Sequence, residues 1–188
     1  MPEAADLIHT ARRLVLDVEH AEALAQRITS AAVSLYDPHD LQRRKLALRV
    51  EGVGESFLGL LEDPLLALDE RLQGAELWTG PIEAVRASGQ QLLDLGDRMV
   101  RQSDELTEVA EEARRLRPSL REPARLVGEL SSELRGHGVT LSGIGERLRT
   151  LPETELGRFR HALARSTASS SNPTGEPGAA GQRSSGGR

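Results

Sequence analysis

The chain has 188 residues, enough for one domain with a sizeable core, and carries a formal net charge of -5. It contains no cysteine, which excludes disulfides, thiolate nucleophiles and cysteine-based zinc or iron–sulfur sites. Aromatics are limited to 2 Phe, 1 Trp and 1 Tyr among abundant Leu and Ala, a composition that predicts an all-α protein rather than a layered α/β enzyme.

The first segment, about residues 3–36, spaces Leu7, Ala11, Leu14, Val18, Ala21, Ala25, Ile28, Ala32 and Leu35 at strict 4-3 intervals. That spacing is what a helix needs to bury a seam against other helices. Tyr36-Asp37-Pro38-His39-Asp40 ends it. Here Asp37 is the expected N-cap of the next helix, with Pro38 at its first position and Asp40 at its third.

The second segment, about 38–75, is the least regular. Its register is Leu46, Val50, Val53, Phe57, Leu61, Leu65, Leu68, Leu72 and Ala75. The spacing of four around Phe57–Leu65 is a stutter, and Pro64 lies inside it, so a kink or break is expected at 62–64. Gly52, Gly54 and Gly59 weaken the first half further. Gln73-Gly74 through Gly80-Pro81 reads as a connection.

The third segment, about 81–117, starts with Pro81 at its first position. Its seam runs through Ile82, Val85, Gly89, Leu92, Gly96, Met99, Ser103, Leu106, Ala110 and Ala113. One row of that seam is small: Gly89, Gly96, Ser103 and Ala110. The other is large: Leu92, Met99 and Leu106 among them. Glycine costs a helix about 1 kcal/mol relative to Ala, so the small row implies a close approach of two backbones. These seven residues are the candidate protein interface, whether with another helix of this chain or with a second protein. Asp94 with Arg98, Asp97 with Arg101 and Glu111 with Arg115 have ordinary surface ion-pair spacing.

The fourth segment, about 119–150, opens on a capping-box pattern at Ser119–Glu122 and places Val127, Leu130, Leu134, His137, Leu141, Ile144, Leu148 and Leu151 on its seam. The period crosses Gly136 and Gly138 unchanged, which favours one bent helix. Thr150-Leu151-Pro152-Glu153 opens a short helix to about Leu163. Residues 165–188 are Ser, Gly, Pro, Ala and Arg without apolar period and read as a disordered tail. The expected organisation is therefore a helical domain over 1–164 and a tail over 165–188. Short connections between rods of similar length predict an antiparallel bundle, or coiled coil, of about four long helices plus a short C-terminal one.

The chemistry-bearing residues are sparse. His9, His20, His39, His137 and His161 are the histidines. His9 and His20 stand about 16 Å apart on one helix, too far for a single ion. His137 reads as a half-exposed residue at a glycine kink. There is no His-Glu-x-x-His motif, phosphate loop or nucleophile elbow, and no Glu-x-x-His pair of the kind that builds a bundle metal site. No catalytic residue, cofactor or metal is expected. The body lacks the basic stripe of a nucleic-acid binder, no stretch approaches 18 consecutive apolar residues, and the start lacks a signal-peptide core, so a cytoplasmic protein is expected.

Trp78-Thr79-Gly80, between rods of near-equal length, resembles the W-x-G turn of the small helical-hairpin proteins exported by specialised bacterial secretion systems. The resemblance covers 38–117 and implies pairing with a related hairpin. This chain departs from it by an additional first helix, by Pro81 directly after the turn, and by having its only tyrosine, Tyr36, before the hairpin. The leading expectation is a non-catalytic helical scaffold, adaptor or assembly subunit that contacts a protein partner or itself through helix packing. Alternatives are a secretion-associated hairpin protein and a helical-bundle ligand carrier or enzyme, the last requiring a lined cavity between helices.

Overall fold

The computed structural model describes Ile8 and residues 18–170, with the side chains of Ile8, 20–62 and 64–161, and every regular element among them is helical. Among residues 18–170 seven α-helices succeed one another: α1 (Val18–Leu35), α2 (Leu41–Leu60), α3 (Leu66–Gln73), α4 (Ala75–Thr79), α5 (Ile82–Leu116), α6 (Arg121–Arg149) and α7 (Glu153–Ser170). A single π-helical turn, Leu61–Leu65, joins α2 to α3, and a 3-10 turn, Pro118–Leu120, leads into α6.

Four long helices close a ring. α1 packs on α2, α2 on α5, α5 on α6, and α6 back on α1. The α5–α6 pair is by far the most intimate and the α1–α6 pair the sparsest. The side chains facing the middle of this ring form one core cluster, including Leu24, Ile28, Val50, Phe57, Leu92, Leu106, Leu134 and Leu148. The expected seam of α5 is buried at all ten positions, from Ile82 to Ala113. On the second segment Ala75 alone escapes burial. Leu7, Ala11, Leu14 and His9, together with 171–188 of the expected tail, lie outside the described residues.

The all-α, multi-helix architecture matches the expectation, while the count and lengths of the helices correct it. The second rod is three elements, not one. Pro64 has no N–H to donate and its ring crowds the carbonyl four residues back, so the chain widens there into a π turn that contains it. The extra residue of that turn rotates α3 relative to α2, which keeps Leu61, Leu65, Leu68 and Leu72 on the core side across the stutter. The connection before Pro81 is also partly helical, as α4. At the other end α7 continues to Ser170, beyond the expected stop near Leu163.

The helix starts differ as well. Asp40, not Asp37, caps α2, accepting from the backbone N–H of Gln42 at 3.0 Å and Arg43 at 3.2 Å. Asp37 accepts instead from the His39 N–H at 3.0 Å and pairs with Arg43 at 3.0 Å, so Pro38 stays in the turn. Ser119 makes no capping box, because the 3-10 turn carries the chain directly into α6. The Thr150 hydroxyl donates backward to the Glu146 carbonyl at 2.8 Å rather than capping α7. The fourth rod is one continuous helix through Gly136 and Gly138.

Candidate functional site

Gly89, Gly96, Ser103 and Ala110 face a matching row on α6 of the same chain. A Cβ on Gly89 would stand 2.8 Å from the Gly145 carbonyl oxygen and 2.6 Å from the Arg149 nitrogen. One on Gly96 would stand 2.5 Å from the Gly138 oxygen and 2.6 Å from the Ser142 nitrogen. The relation is reciprocal, since a Cβ on Gly145 would meet the Gly89 oxygen at 2.6 Å and one on Gly138 the Gly96 oxygen at 2.8 Å. One step further along, the Ser131 hydroxyl donates to the Ser103 carbonyl at 2.7 Å and shares a 2.8 Å hydrogen bond with the Thr107 hydroxyl. Each step of seven up α5 thus meets a step of seven down α6, with backbone against backbone. Leu92, Met99 and Leu106 are buried beside this seam. All seven sequence candidates lie together on it, and α6 occupies the face they form.

The α6 half of this seam was legible and missed. Ala124, Ser131, Gly138 and Gly145 recur at intervals of seven, one residue along from the large-residue register. His137, on that register, is half-exposed as expected, and it is turned toward α1, with its ring 5.6 Å from that of His20.

With the seams closed, the exposed apolar side chains become informative. The large ones among the described residues are Val33, Tyr36, Leu41, Leu48, Leu58, Leu66 and Val139, and all but Val139 fall in the stretch from α1 to α3. Between α1 and α2 lies a surface groove of about 760 Å³. Ala25, Val33 and Leu58 supply apolar lining, Val33 being 74% exposed. Glu22, Glu55 and Glu62 rim it, and among the described residues no Lys or Arg lines it. Gly54 sets its floor: a Cβ there would stand 3.2 Å from the Thr29 nitrogen, so α1 and α2 approach closely beneath the groove.

The groups with shifted ionisation lie elsewhere. Hydrogen bonds from Arg125 and Arg149 hold the Glu122 and Glu146 carboxyls below the usual range. Both are exposed i,i+3 ion pairs on α6, not members of a cleft. Of the expected surface pairs, Glu111–Arg115 forms at 2.9 Å, while Asp94 accepts from Gln90 and Asp97 from Ser142. Among the described residues no helix is long and apolar enough to cross a membrane.

Trp78, the residue behind the W-x-G resemblance, is fully buried. Its indole N–H donates to the Leu72 carbonyl at 2.9 Å, and its ring meets Phe159 of α7 edge-on at 6.4 Å. Arg160 of α7 donates to the carbonyls of Trp78 and Gly80. The tryptophan therefore fastens α7 over the end of the bundle rather than marking a bare turn between two rods. No protein-family model, curated protein or solved structure matches this chain.

Proposed function

We propose that this chain is a non-catalytic helical scaffold or adaptor that works in the cytoplasm and holds a basic amphipathic helix of a protein partner in the α1–α2 groove. The observation that carries the reading is the concentration of exposed large apolar side chains on the α1–α3 stretch, next to a groove that, among the described residues, is rimmed by three glutamates and no cation. A helix docking there would bury its apolar face on Val33 and Leu58 and set Lys or Arg against Glu22, Glu55 and Glu62. The Gly89–Ala110 row supports this role from inside, as the intramolecular seam that keeps α5 and α6 a fixed frame. The cytoplasmic assignment rests on the cysteine-free sequence, which needs no oxidising compartment to fold.

Photo-crosslinking residues placed at 33 and 58, with 147 on exposed α6 as control, test the reading in the native cell. The expected result is one adduct common to 33 and 58, mapping to a basic helix and lost in Glu55→Lys/Glu62→Lys. Adducts confined to 147, adducts that survive the charge reversal, or none at 33 and 58, overturn it.

A further inference from the structure

We infer that His20, Glu133 and His137 form a binding site for a divalent transition-metal cation of the zinc class, bridging α1 and α6. Two imidazoles and a carboxylate are a donor set that zinc takes readily. Each of the three residues offers one ligand atom, and those atoms all lie within 4.8 Å of one another. The His20 Nε2 to Glu133 Oε1 separation is already 3.3 Å. Bonds of about 2.0 Å at the tetrahedral angle put two ligand atoms about 3.3 Å apart, so one edge of the tetrahedron stands at ligand spacing. The remaining distance would be closed by a side-chain torsion of the half-exposed His137.

The placement comes from the helices. Glu133 and His137 are four apart on α6 and share a face, while His20 comes across from α1. The His20–His137 rings are inclined at 56°, so they converge rather than stack. His20 is exposed, which leaves water access for the fourth position. Arg27, one heptad on from His20, donates to both Glu133 oxygens at 3.0 and 2.9 Å. It would keep Oε2 and orient the carboxylate while Oε1 turned to the ion, the role of an outer partner in metal sites.

The ion would tie together the sparsest seam of the ring, α1 to α6, and so hold one wall of the α1–α2 groove to the α5–α6 frame. Because a metal that binds the folded chain stabilises it by mass action, binding would also appear in the melting temperature.

Isothermal titration calorimetry with zinc chloride on the full chain, free of any purification tag, tests the site. A single saturable phase is expected. His20→Ala, Glu133→Gln and His137→Ala should each weaken it by at least about tenfold, and His39→Ala, on an exposed residue away from the cluster, should leave it unchanged. Zinc should raise the melting temperature of the wild type and not of His137→Ala. Because His20 is exposed, His20→Ala keeps the test independent of folding, which circular dichroism checks. No saturable binding, or binding indifferent to the three substitutions, overturns the proposal.

Discussion

Glycine has opposite meanings at different places in this chain. At 96 a methyl group would meet backbone atoms of α6 at 2.5 and 2.6 Å, and no rotamer change relieves a clash with a main chain. Gly96→Ala should therefore force the two helices apart and cost about 3 kcal/mol. At 143, in the same α6, nothing lies within 4 Å of the added atom. There Gly143→Ala should stabilise by about 1 kcal/mol through helix propensity alone. Urea unfolding of the two variants checks both signs. Equal effects would mean that the α5–α6 approach is not what retains glycine at 96. The sequence showed the small row on α5 because Gly89, Gly96, Ser103 and Ala110 break a strong helical pattern at fixed intervals. It did not show that α6 carries the complement, because His137 and Leu134 drew attention to the neighbouring register.

At the scale of elements, the bundle end illustrates how one side chain can recruit a helix. The described apolar anchors of α7 are Leu156, buried, and Phe159, partly buried on the core. The helix holds to the bundle by setting Phe159 against Trp78 and by donating Arg160 to the carbonyls around that residue. Trp78 is the only tryptophan, so its emission reports on this contact. Phe159→Ala should shift the emission to longer wavelength as water reaches the indole, while the far-ultraviolet circular dichroism of the remaining helices persists. Emission unchanged in that variant would mean that α4 alone shields the ring. The Trp78–Thr79–Gly80 connection was visible in the sequence as a punctuation mark. Its conversion into a short helix with a buried indole was not, since that depends on a partner 81 positions further along.

At the scale of the molecule, closure of the ring is what separates a bundle from an open seam. Each of α1, α2, α5 and α6 packs against two others of these four, and their described heptad positions point into one shared core. Light scattering coupled to size exclusion should accordingly give the mass of one chain, 20.4 kDa. A mass of two chains or more would show that one of the seams opens onto another copy. The sequence by itself determined the helical class, the buried face of the rods over their described residues and the break at Pro64. All of these come from local periods and from what proline and glycine do to a helix, whatever lies opposite. Tertiary structure alone decided which rods are neighbours. It thereby brought His20 to Glu133 and His137, set Gly89 on Gly145, and left Val33 and Leu58 beside three glutamates. Those meetings join residues far apart along the chain, where a period of 3.5 says that a face will be covered but not by which helix.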